Sequence, residues 1–126
     1  MLALVLACTT PNSDTAEEGL LFVDPSQVGE YGVVSRESSI TSRDGLNLPL
    51  QLWFPSQSPS DSLHKYNDIL SGSASDSGSV DCSEKRPVVL FSHGNQGMRF
   101  QSFFLTEYLT SHGYIVLAPD HVGNTY

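Results

Sequence analysis

Ser92-His93-Gly94-Asn95 follows directly on an apolar run and precedes a stretch with helical spacing. A glycine-containing turn in that position gathers backbone N–H groups near the head of a helix, where they favour negative charge. In acyl transfer such groups would bind the developing oxyanion, each contributing about 2.7–4 kcal/mol. On spacing alone, a tight strand-to-helix connection accounts for the same residues. A dinucleotide fingerprint does not, because Gly94 and Gly97 have no third glycine spaced to match. Asp120-His121 opens a second loop with a carboxylate and an imidazole, and His121 is expected at a loop or pocket rim. No serine stands in a Gly-x-Ser-x-Gly frame. His64 falls in a serine-rich stretch, and His112 at a helix end where positive charge suits the macrodipole.

The elements that must position these residues follow from periodicity. Residues 33–41 are rich in β-branched and small side chains and predict a strand. Ser42-Arg43-Asp44-Gly45 is a hairpin signal. After it, Leu46, Leu48, Leu50, Leu52 and Phe54 alternate, which predicts one apolar strand face. Pro49 cannot donate to a ladder, so that strand is expected to have a free edge nearby. Residues 87–92 form a short continuous apolar run, the pattern of a strand buried on both faces. Phe100, Phe103, Phe104, Tyr108 and Leu109 recur at spacings of three and four, which predicts a helix over 99–112 with that face inward. Gly113 stands where the helix should end, and residues 114–118 predict a second buried strand. Strand, loop, helix and strand make a parallel βαβ unit. Residues 56–84 carry ten serines with few apolar anchors. They predict a long mobile loop, disordered over 71–79, none of whose serines has a histidine-and-carboxylate context.

Length and charge narrow the function. The 126 residues allow one small domain. The net charge of −8, with only six Lys and Arg, argues against a nucleic-acid partner. The first eight residues, Met-Leu-Ala-Leu-Val-Leu-Ala-Cys, resemble the tail of a bacterial lipoprotein signal, although no basic residue precedes them. Residues 1–32 are therefore expected to be a signal-like segment and tether. Cys8 would be the lipidated residue, and the protein would be exported, either attached to a membrane or secreted. Cys82 would then be an unpaired thiol in the serine-rich loop.

Residues 87–97 (PVVLFSHGNQG) and 109–125 (LTSHGYIVLAPDHVGNT) resemble the third strand, oxyanion loop, first helix and fourth strand of an α/β-hydrolase. More narrowly they resemble the platelet-activating-factor acetylhydrolase and dienelactone-hydrolase-like branch. The hairpin ending in Leu-Trp-Phe-Pro is similar to that branch's opening antiparallel strands. The resemblance implies a partial α/β-hydrolase domain over 33–126 with an incomplete sheet. It implies that the backbone N–H of Asn95 is an oxyanion-hole donor, that Gly94 lets the backbone approach substrate, and that His93 fixes the loop. Asp120 and His121 would line the pocket. It implies a serine carboxylic-ester hydrolase acting on short-acyl esters, with phospholipid esters among the candidates, and with no metal or cofactor. The nucleophile elbow, acid and base are not among these residues, so this chain alone is expected to be inactive and to expose an apolar strand edge at residues 88–91. A non-catalytic secreted or surface-anchored binding module is the alternative, and lactone or peptide hydrolysis is a third reading.

Overall fold

The computed structural model describes residue 24 and residues 26–126. The expectations for Cys8 and the signal-like start lie outside the described residues. Six strands and one helix follow in chain order: β1 (Gly32–Thr41), β2 (Asn47–Ser56), β3 (Leu63–Tyr66), β4 (Ile69–Ser75), β5 (Val88–Leu90), α1 (Phe103–Ser111) and β6 (Ile115–Pro119). They build one mixed sheet in the order β3-β4-β1-β2-β6-β5. The architecture is a partial α/β fold with an open sheet.

β1 and β2 form the antiparallel hairpin that Asp44-Gly45 predicts, in register from Gly32 opposite Ser56 to Thr41 opposite Asn47. β5 and β6 run parallel, with Val88 beside Ile115 and Leu90 beside Leu117, so β5, α1 and β6 are the expected strand–helix–strand unit. Gly113 leaves the helix at φ 94°, a conformation that costs a side-chain-bearing residue about 1–2 kcal/mol.

Three expectations of packing are narrowed or corrected. The free edge expected near Pro49 is confined to residues 47–49, because β2 lies between β1 and β6 and its ladder to β6 runs from Leu50 to Trp53. Both its faces are buried there. Gln51 and Trp53 face the main core with Val33, Tyr66, Ala74, Phe100, Val116 and Ala118, while Phe54 joins Val34 and Ile115 on the other side. β5 is an edge strand, and Leu90 is 70% exposed rather than buried on both faces. α1 begins only at Phe103, and its buried residues are Thr106, Glu107, Thr110 and Ser111. Phe104 is 69% exposed.

The largest correction concerns residues 56–84, which contain β3 and β4 instead of a mobile loop. Asn67-Asp68 turns the chain, with Asn67 at φ 53° and Tyr66 paired to Ile69. β4 then runs parallel to β1, with Ala74 beside Val33. The serines are not idle solvent-facing residues. Ser71 and Ser73 donate to the Glu107 carboxylate and Ser75 to the Ser60 carbonyl. Hydroxyls hold this hairpin where apolar side chains were sought. Beyond it, Asp81 donates its N–H to the Pro55 carbonyl, and Arg86 bonds the Asp81 carboxylate at 2.7 Å while lying over the Tyr31 ring. Cys82 is disulfide-bonded, not an unpaired thiol.

The folded unit also begins before Val33. Gly29 donates its N–H to Ser111 Oγ and Tyr31 to the Ser111 carbonyl. A Cβ at Gly29 would collide with that carbonyl, so only glycine allows the approach.

Candidate active site

The pairing of β5 to β6 continues one residue past the strand, where Phe91 donates its N–H to the Leu117 carbonyl. The loop 92–97 therefore leaves the sheet beside the loop that follows β6. The two loops are the Ser-His-Gly-Asn and Asp-His segments of the sequence, and the fold brings them together.

His93 stands between them and is only 5% exposed. Its Nδ1 lies 2.9 Å from the Gly94 carbonyl, which can only accept, so Nδ1 carries the ring proton. Its Nε2 then accepts from the His121 N–H at 3.2 Å, with the Thr125 hydroxyl also at 3.2 Å. The His121 ring stacks on it with centroids 4.0 Å apart. His93 is thus a neutral ring that ties one loop to the other.

The consequence falls on the next peptide. The Gly94 carbonyl accepts from His93 Nδ1 and also from the Gly97 N–H, at 2.9 Å each. Carbonyl and N–H of one trans peptide point in opposite directions. Holding the Gly94 oxygen inward therefore turns the Asn95 N–H outward. Among the described residues, the N–H groups of His93, Gly94 and Asn95 donate to nothing, and Gly94 and Asn95 are exposed. Gln96, at φ 53°, donates its N–H to Asn124 Oδ1, and Tyr126 donates to the Gly97 carbonyl, which closes the loop on the far side.

Asp120 is committed elsewhere. Its two carboxylate oxygens accept from the Arg99 N–H and from Arg99 Nη1, both at 2.8 Å. Its own N–H donates to the Pro49 carbonyl. The pair fixes the entry to α1 against the end of β6, and Arg99 Nη2 extends it to Glu37 at 3.0 Å. His121 does stand at the rim, with Nε2 3.1 Å from Ser92 Oγ. His64 and His112 lie apart from this cluster. His64 is on β3 beside Gln51, and His112 caps α1 and contacts the Gln27 carbonyl. Among the described residues no three His, Cys, Asp or Glu side chains converge as a metal site.

Sequence reasoning left Ser92, Arg99, Asn124 and Thr125 without a role. Ser92 and Thr125 stood inside the quoted segments, but a β-sheet partner was needed to show what they face. The pairing of Arg99 with Asp120 has no signature in spacing, since it depends on the parallel register of β5 and β6.

The family model described as platelet-activating factor acetylhydrolase, isoform II, matches residues 50–125, more than half of the chain. The match takes in β2 from Leu50 onward, both loops and α1. No curated protein matches the chain.

Proposed function

Since the chain belongs to the platelet-activating factor acetylhydrolase isoform II family, we infer that it is the N-terminal portion of a serine carboxylic-ester hydrolase and carries half of its oxyanion hole. The observation that supports this most is the 94–95 peptide. Its carbonyl is held by two donors, and its N–H is turned out without a partner. A donor fixed in advance needs no reorganisation when charge develops on the substrate oxygen, which is the condition for strong electrostatic catalysis.

The substrate is a short-acyl ester, of phospholipid type in the closest reading of the family description. The reaction is acyl transfer to a serine, followed by hydrolysis of the acyl-enzyme. No Gly-x-Ser-x-Gly frame occurs in the 126 residues. The nucleophile, its acid and its base are therefore assigned to sequence outside them, and the chain by itself does not turn over ester. Glycine at 94 leaves the approach to the donor open, since the nearest atom to an added Cβ would be the Gln101 amide nitrogen at 3.7 Å.

The test uses a longer version of the protein that contains a nucleophile elbow. Asn95→Pro deletes the donor and should lower kcat by about 10²–10³-fold, with KM for a short-acyl ester changed far less. Asn95→Ala keeps the N–H and should stay near wild type. Equal rates for Asn95→Pro and wild type would remove the donor role.

A further inference from the structure

We propose that Ser92 and His121 form an acyl-accepting pair of their own, separate from the nucleophile assigned outside the chain. Ser92 is exposed, at the end of β5, and its Oγ lies 3.1 Å from His121 Nε2. That is within the reach at which an imidazole takes a hydroxyl proton during attack.

The base is held in place from several directions. Its backbone N–H bonds His93 Nε2 and Thr125 Oγ1, its carbonyl accepts from Thr125 Oγ1, and its ring stacks on His93. The nucleophile is held too, because the preceding residue is paired to β6. The N–H groups of His93, Gly94 and Asn95, which donate to no described group, follow Ser92 along the chain and are the nearest backbone donors in sequence to the attacking hydroxyl. What the pair lacks is an orienting carboxylate. Asp120 is next to His121 in sequence, but both its oxygens are on Arg99. The pair therefore accepts an acyl group slowly and once.

In the step, Ser92 Oγ bonds the carbonyl carbon of an activated ester while its proton passes to His121 Nε2. The bond from that carbon to the leaving oxygen breaks, and the alcohol departs with the proton returned from Nε2. With a fluorophosphonate, the Oγ–P bond forms as the hydroxyl proton passes to His121 Nε2, the P–F bond breaks, fluoride leaves, and the proton is then lost to solvent.

The experiment treats the full 126-residue chain with p-nitrophenyl acetate and, separately, with a fluorophosphonate, then maps adducts by peptide mass spectrometry. Ser62 is the internal control, since its hydroxyl donates to Asp76 at 2.7 Å and faces no imidazole. Ser92 should label at least ~10-fold faster than Ser62, and His121→Gln should slow Ser92 by at least ~10-fold. Labelling of wild type should also rise with pH as one imidazole gives up its proton, a readout that survives if His121→Gln fails to fold. No adduct on Ser92, an adduct formed equally fast in folded His121→Gln, or a rate with no histidine-like pH dependence would each overturn the pair. None of these outcomes bears on Asn95, whose test is turnover in the longer protein.

Discussion

His64 shows how one residue can be placed wrongly by sequence and still be useful. It was expected in a mobile loop, yet it sits on β3 with Nε2 3.2 Å from Gln51 Nε2 and its ring edge-on to Tyr66 at 4.7 Å. Burial pushes its pKa below the ordinary 6.5, and the carboxylates of Glu37, Asp76 and Glu107 pull weakly the other way. A base with a lowered folded pKa binds protons less readily when folded than when unfolded. Its contribution is present above the ordinary value and is lost as pH falls below it. The urea midpoint should therefore drop between about pH 7 and pH 5, and His64→Phe should flatten that slope while keeping the contact with Tyr66. An equal slope in both proteins would assign the pH dependence to other groups. At the loops the sequence was more legible. Ser-His-Gly named the turn, and Gly94 named its open approach, because a glycine loop after an apolar strand has few uses. The direction of the Asn95 N–H was not legible, since it depends on a hydrogen bond from the side chain of His93 to the carbonyl of the next residue.

Among elements, α1 departs furthest from its pattern. The spacing of Phe100, Phe103, Phe104, Tyr108 and Leu109 predicted an aromatic face turned inward. Phe103 and Leu109 do pack on the core, but the centre of the contact is polar. Glu107 is buried and accepts from Tyr66 at 2.8 Å, from Ser71 at 2.7 Å and from Ser73, while Trp53 Nε1 donates to the Tyr66 hydroxyl. Desolvation raises the Tyr66 pKa far above the usual phenol range, so it stays a donor to the carboxylate. The helix is thus joined to β4 through a network in which one acceptor serves three hydroxyls. Periodicity weighs only hydrophobicity, so it could not find an interface made this way, nor the strand across from it. Glu107→Leu would leave the buried Tyr66 and Ser71 hydroxyls unpaired, and should cost about 3–5 kcal/mol of stability. Glu107→Gln keeps an acceptor and should cost less. Chemical denaturation of the two variants checks this, and equal losses would mean that the site needs volume rather than an acceptor.

For the whole molecule, the order of elements was read correctly wherever apolar residues alternate or run together. The hairpin and the parallel unit follow from such patterns, whereas the open edge at β5 follows from the family resemblance, since the apolar run alone predicts a strand buried on both faces. The serine-rich third was misread because its partners lie on other elements. The open edge has a physical cost. Val88 and Leu90 stand beside Ile115 and Leu117, which with Leu52 and Phe54 line an apolar cleft of about 320 Å³ on the face away from α1. An unpaired strand with apolar side chains recruits another like it. The isolated chain should self-associate at micromolar concentration in sedimentation, and the double variant Val88→Lys, Leu90→Lys should return it to monomer. A wild-type chain that sediments as a monomer would show the edge to be tolerated. At the C-terminal end of α1, the seat of Gly29 on Ser111 sets how far proteases can trim the chain from its front. Cleavage before Gln27 leaves both the His112 contact and the Gly29 seat intact. Cleavage after Tyr31 strips the last turn of α1 of its cover and takes away the ring on which Arg86 rests.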